Sequence, residues 1–371
     1  MRGGEKCLEI FCRLFPDADL FTLFHSPGRV SPLIENRRIH TSFLQSVPFI
    51  EKRYRYFLPL MPRAIETFCF EGYDLILSSS HCVAKGVRRP AGSIHICYCH
   101  TPMRYLWDQY DLYFSAERSG WLTRAVMKRL APRLRRWDVE SSRGVDYFIA
   151  NSENVKRRIR RHYGREAEVI PPPVDVEFFT PEKGEVGPYF LVVSALVPNK
   201  RIELAVEACH ELGYPLIVVG DGPMAGVLKR QATPSIRFTG WLSSEDIRSL
   251  YARCRAFLFT GEDDFGITPL EAQAMGRPVI ALARGGALET VVPDRESWKS
   301  ETGIPARQTD RPTGVFFHEP TVEALMSALR HFETIEHRFD SRSIRSHALP
   351  FAAGVFLDRI RRFIEDHAHR C

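Results

Sequence analysis

The sequence predicts an α/β fold of two doubly wound halves, and three observations predict it. Short apolar runs bounded by turn residues recur along the chain and alternate with stretches of helical periodicity, the pattern of parallel strands joined by crossover helices. A proline-rich stretch, PPPVDVEFFTPEKGEVGP from Pro171 to Pro188, divides these runs into two sets. The chain has 371 residues, 44% of them hydrophobic and 26% charged, which is enough for two separate cores.

The elements follow in order. Met1-Arg2-Gly3-Gly4-Glu5-Lys6 runs straight into Cys7, Leu8, Phe11, Cys12, Leu14 and Phe15, an amphipathic helix pattern with no strand before it. Strands are then readable at DLFTLF (Asp19–Phe24), YDLILSS (Tyr73–Ser79), SIHICYCH (Ser93–His100), DYFIANS (Asp146–Ser152) and AEVIPPP (Ala167–Pro173). After the proline-rich stretch the pattern restarts at YFLVVSA (Tyr189–Ala195). It continues through PLIVVG (Pro215–Gly220), IRFTG (Ile236–Gly240), AFLFT (Ala256–Thr260), PVIALA (Pro278–Ala283) and TGVFF (Thr313–Phe317). The polar stretch from Asp294 to Pro312 reads as a loop, and FLDRIRRFIEDH (Phe356–His367) as an amphipathic helix. The expected division is residues 1–173 for the first half, 174–188 for a linker, 189–345 for the second half and 346–371 for a terminal helical segment.

One stretch carries most of the chemistry. In GEDDFGITPLEAQAMGRPVIA (Gly261–Ala281) acidic side chains stand beside a helix N-terminus directly after an apolar strand. Pro269 near the helix start leaves the amides of Gly266 and Ile267 free to face an anion. Asp263 and Glu271 would flank the same pocket and accept hydrogen bonds from sugar hydroxyls. Downstream, PVIALARGGALETVV (Pro278–Val292) is a second strand and helix start around the Gly285-Gly286 turn. Together these units suit a sugar diphosphate.

This segment resembles the carboxylate signature of the family 4 glycosyltransferases, retaining enzymes of the GT-B fold that use nucleotide sugars. Its two acidic residues would fall on Asp263, with Glu262 beside it as an alternative, and on Glu271. CHTPMRYLWD (Cys99–Asp108) resembles the acceptor-domain loop of that family, whose His, here His100, is implied to touch the donor sugar. VVSALVPNKR (Val192–Arg201) resembles its phosphate-gripping element. The family places an Arg five residues before the Lys, where this chain has Ala195; Lys200 holds the Lys position and Arg201 is the nearest other cation. ANSENVKRRI (Ala150–Ile159), VVGDGP (Val218–Pro223) and RFTGWLSSEDIRSLYARC (Arg237–Cys254) extend the likeness over nearly the whole chain.

The resemblance implies two Rossmann-like domains facing a central cleft, with the terminal helix returning to the first. It further implies His100, Lys200, Asp263 and Glu271 as catalytic residues, and Gly3, Gly4, Arg201, Gly266, Ile267, Gly285 and Gly286 as donor-binding residues. In related transferases a buried first strand leads into the Gly3-Gly4 loop, and this chain is expected to lack that strand. A hexose donor, with GDP-mannose favoured, and a saccharide or polyprenyl-linked acceptor are implied, with no cofactor and no metal. A nucleotide-sugar epimerase of the same fold and a nucleotide-sugar-binding protein without catalysis remain as alternatives.

Other features bound the reading. His95, Cys97, Cys99 and His100 invite a zinc site, but SIHICYCH alternates as a strand and puts the first three on one buried face, where Cys is packing. The nine Cys are scattered without a CxxC, as in a reduced, cytoplasmic protein. No run approaches a membrane span and no secretory signal is visible. From Arg124 to Arg165 thirteen basic residues face four acidic ones, a difference of +9 in a chain of net charge +6. With Trp107, Tyr110, Tyr113 and Trp121 just upstream, this segment suits either an anionic membrane surface or a solvated basic face. Nucleic acid is not expected, because no reading motif accompanies the charge.

Overall fold

The computed structural model describes residues 3–115, 120–182, 184–231, 233–298 and 311–368. They form two compact units, one of residues 1–172 with 354–371 and one of residues 173–353. Most of the polar stretch from Asp294 to Pro312 lies outside the described residues.

In the first unit, β1 (Leu20–Thr22) pairs in parallel with β2 (Ile39–Thr41) as a separate two-stranded sheet. The four-stranded sheet is wholly parallel, in the order β3 (Leu75–Ser80), β4 (Ile94–Cys99), β5 (Tyr147–Ala150), β6 (Ala167–Val169). The run at Asp19 is thus a strand, but not one of the main sheet. Every residue of β4 is buried, so both of its faces are covered, as parallel sheets require. His95, Cys97 and Cys99 lie on one buried face of the strand, as expected, and Ile94, Ile96 and Tyr98 on the other face are buried as well. His95 Nε2 lies 2.7 Å from Ser78 Oγ, and burial pushes the Cys97 thiol up to about 12.

The helix Gly3–Leu14 is the first described element, and Gly3 and Gly4, expected in a loop, form its first turn. The apolar stripe that begins at Cys7 continues the helix back through them. Phe11 of this helix packs edge-on against Tyr98, with centroids 5.6 Å apart, and both meet Phe356 of the terminal helix Ala353–Ala368. Phe356, Ile360, Phe363 and Ile364 are the buried stripe that ties this helix into the first unit.

A buried ion pair sits at the centre of the same unit. Lys85 and Asp138 are essentially inaccessible to solvent, and their charged ends are 2.8 Å apart. Trp107 Nε1 and Tyr163 Oη each donate to Asp138 Oδ2, at 2.8 and 2.9 Å. Lys85 also donates to the Asp138 carbonyl and to Ser141 Oγ, both at 2.7 Å, and its ammonium lies 5.1 and 4.9 Å from the rings of Trp137 and Tyr163.

The second unit is a six-stranded parallel sheet of β7 (Phe190–Val193), β8 (Leu216–Val219), β9 (Ile236–Gly240), β10 (Phe257–Phe259), β11 (Val279–Leu282) and β12 (Gly314–Phe317). The spatial order is β12-β11-β10-β7-β8-β9, the doubly wound arrangement in which winding reverses between β7 and β10. Alternation along the strands separates two cores. Phe190, Val192, Leu258, Ile280 and Val315 pack on the helices Ile202–Leu212 and Val322–Ile335, whereas Leu191, Phe257, Phe259, Ala281 and Phe316 pack on Ser244–Arg253 and Ile267–Ala274.

Two boundaries depart from expectation. The stretch from 174 to 188 begins as part of the second core rather than as a free linker, because Val174, Val176 and Phe179 are apolar and buried there. The Arg345 guanidinium fastens it, donating to the carbonyls of Phe179 and Ala274 at 2.8 and 2.7 Å. For the same reason the terminal segment leaves the second unit after Ala353 and not at 346, since Ile344 and Ala348 of the helix Ser341–Ala348 are fully buried in it.

Candidate active site

In an open parallel sheet, ligands bind beyond the carboxyl ends of the strands where the winding reverses. The loops that leave β7 and β10 meet at that point in the second unit. Thr260 Oγ1 donates to the carbonyl of Lys200 at 2.9 Å. A Cβ on Gly261 would lie 2.6 Å from Lys200 Cα and 2.7 Å from the Asn199 carbonyl oxygen, so only glycine allows this crossing. The Lys200 ammonium then reaches the Asp263 carboxylate as an ion pair.

The loop after β11 closes the third side. The Gly286 amide donates to the Asp263 carbonyl at 2.8 Å. A Cβ on Gly286 would lie 2.1 Å from the Phe265 carbonyl oxygen, and one on Gly285, at φ +59°, would lie 2.3 Å from that of Asp263. Gly266 at φ +88° turns the chain into the helix that starts at Ile267. Lys200, Asp263, Gly266, Ile267, Gly285 and Gly286 are thereby gathered on one side of the sheet.

Glu271 stands one turn into that helix and is buried. Tyr251 Oη donates to Glu271 Oε2 at 3.3 Å, and burial, reinforced by the Glu271 charge, holds the Tyr251 phenol well above its ordinary value. The phenol stays protonated and fixes the carboxylate. Sequence reasoning missed Tyr251; the apolar stripe of SLYARC marks it as buried, but nothing local shows that it faces a carboxylate twenty residues on.

Arg201 takes a different place from the one expected. It sits at φ +50°, with its guanidinium on Glu203 Oε1 at 2.8 Å and on the Pro320 carbonyl at 3.1 Å. Lys200 is a full positive charge paired with Asp263.

The first unit carries the remaining residues. His100 follows β4, where its amide donates to the Ser80 carbonyl at 2.8 Å and Asn151 Nδ2 donates to its own carbonyl at 3.0 Å. His100 Nε2 lies 2.8 Å from Ser79 Oγ, and a Cβ on Gly4 would come within 3.6 Å of that nitrogen. His100 and Gly4 are thus neighbours. Burial, with the nearby His81 charge, pushes the His100 imidazole down to about 3, and burial likewise lowers His95 to about 4. His100 is therefore a neutral ring with one donor and one acceptor.

This has a measurable sign. Both histidines titrate lower in the folded chain than near 6.5, the value of an unburied ring, so their contribution to stability is complete above about pH 6.5 and is lost as pH falls towards 4 and then 3. The melting temperature is expected to drop over that range, less steeply in His100→Asn. The imidazole carbon resonances of His95 and His100 should stay unprotonated at pH 5, and titration of either near 6.5 would contradict the burial argument.

These features define the class: two parallel α/β units, the second doubly wound with a glycine-lined crossing of loops at its switch point. Glycosyltransferase Family 4 matches residues 2–178, and the family described as Glycosyl transferases group 1 matches residues 187–330. The chain belongs to the family 4 glycosyltransferases and has their GT-B fold. A GDP-mannose-dependent monoacylated alpha-(1-6)-phosphatidylinositol monomannoside mannosyltransferase of Corynebacterium glutamicum is 31% identical over 40% of this chain and 47% of its own length. The O-antigen chain mannosyltransferase C of Escherichia coli is 26% identical over 46% and 44%. This chain spans about half the length of those two curated relatives. Among solved structures, the sucrose-phosphate synthase of Thermosynechococcus elongatus aligns over 97% of this chain and 91% of its own with a TM-score of 0.70 at 18% identity. Anabaena HepE in complex with UDP-glucose aligns over 99% and 96% with a TM-score of 0.67 at 18% identity. At that identity the likeness is one of fold.

Proposed function

We propose that the protein is a retaining, metal-independent glycosyltransferase that moves a hexose, mannose from GDP-mannose, to a saccharide or polyprenyl-linked saccharide in polysaccharide synthesis. The observation that carries this reading is the meeting of three loops at the switch point of the second unit, which brings Lys200, Asp263 and the start of the helix Ile267–Ala274 together, with Glu271 one turn into that helix. GDP-mannose is favoured because curated relatives at 26–31% identity depend on that donor.

Breaking the bond from sugar to diphosphate puts negative charge on the leaving phosphate, so fixed positive groups are the main requirement. Lys200 supplies the charge and the amides at Gly266 and Ile267 supply oriented dipoles. Glu271, held by Tyr251, accepts a hydrogen bond from a ribose hydroxyl. Asp263 accepts one from the transferred sugar once Lys200 turns to phosphate. The resemblance assigns His100 to the same sugar, and its neutral ring suits a hydroxyl. Attack from the face of the leaving group gives retention without a protein nucleophile.

Incubation with labelled GDP-mannose and a membrane lipid extract tests this. Label is expected in a glycolipid or glycan, at an undiminished rate in EDTA. An isomerised donor without transfer would make the protein an epimerase, and binding without turnover a donor-binding protein. Loss of turnover in EDTA, restored by manganese, would reject metal independence.

A further inference from the structure

The helix Trp121–Ser141 of the first unit has one face that the fold does not use. Its buried stripe is Met127, Ala131, Leu134 and Asp138, spaced as one side of a helix. At 100° per residue the opposite side carries Trp121, Leu122, Ala125, Val126, Arg129, Pro132, Arg133 and Arg136, all exposed. Trp121 is 74% exposed, Leu122 60% and Val126 46%, which are high values for large apolar side chains. The apolar residues occupy the first turns and the arginines the following ones, along roughly 22 Å of helix.

The arginines of this face are uncompensated. Arg129, Arg133 and Arg136 have no ion-pair partner among the described residues, and Glu140 is the one acid near their row. The same unit also exposes Phe49 (66%) and Tyr56 (78%) close in sequence to Lys52, Arg53 and Arg55. Phe49 is held at φ +57°, a conformation that bulky residues rarely adopt.

We propose that this helix face docks the first unit on an anionic lipid surface. Trp121, Leu122 and Val126 enter the headgroup boundary, and Arg129, Arg133 and Arg136 meet lipid phosphates along a line that a flat bilayer can contact at once. Charge complementarity selects the occupant. A nucleic acid would satisfy the arginines but would leave Leu122 and Val126 in water. The contact is peripheral, since no helix among the described residues is long and apolar enough to cross a membrane. The inference does not depend on the transfer reaction proposed above, and its test uses no donor.

The test is co-sedimentation of the full chain, in about 0.1 M salt, with vesicles of phosphatidylcholine alone or mixed with phosphatidylglycerol. Binding is expected to the mixed vesicles and much less to phosphatidylcholine. With each surface cation contributing about fivefold, Arg129→Glu/Arg133→Glu/Arg136→Glu should weaken partition on the order of a hundredfold or more. Trp121→Ser/Leu122→Ser should also weaken it, and brominated lipid should quench emission that disappears in Trp121→Phe. All of these side chains are exposed, so unchanged melting temperatures will show that the variants are folded. Equal partition of the variants and the parent, absence of quenching, or retention on duplex DNA with no binding to vesicles would overturn the proposal.

Discussion

Lys200→Ala is expected to lower kcat/KM for sugar transfer by about 10²- to 10³-fold, the cost of removing a preorganised charge from a developing oxyanion. The fold should survive. The Lys200 ammonium is still partly exposed, and its pairing with Asp263 joins loops that are also held by the Thr260 side chain and the Gly286 amide. A fall of only a few degrees in melting temperature is therefore expected. Arg201→Ala is the control. Its guanidinium is committed to Glu203 and the Pro320 carbonyl, so its loss should change kcat/KM far less. Initial rates with GDP-mannose, and the rise in melting temperature that GDP-mannose gives, measure both variants. Full activity in Lys200→Ala would dismiss the assignment.

Lys85→Met should destabilise the first unit by about 3–5 kcal/mol, the usual cost of removing one partner from a buried ion pair. Asp138 would remain fully enclosed with its charge, keeping only the hydrogen bonds from Trp107 and Tyr163. Adding Asp138→Asn to Lys85→Met removes that charge and should restore part of the loss. Urea unfolding of the two single variants and the double then gives a strongly non-additive cycle. Additive losses would mean that the two side chains contribute independently.

These two sites differ in how they could be read. Lys200 was legible because strand, loop and helix start succeed one another within a few residues, and the same holds for the Gly261–Glu271 stretch. Ile94–Cys99 was legible for a similar reason, since a fully buried strand writes its environment into consecutive residues, and Leu75–Ser80 by its alternating burial. Lys85 and Asp138 stand 53 residues apart, and Asp138 lies inside an arginine-rich helix, so no local pattern marks them as partners. β2 is three residues long, too short for a period to emerge. The prolines at 171–173 concealed the alternating burial of Val174 and Val176, and the commitment of Arg201 to Pro320 joins positions 119 residues apart.

The glycines at 261, 285 and 286 leave no room for even a methyl group, because each abuts the main chain of a neighbouring loop. The framework where these loops cross is thus closed to amino-acid replacement, while its surroundings are not. On the function proposed above, a change in the sugar or base accepted must come from side chains at the rim, over a fixed floor.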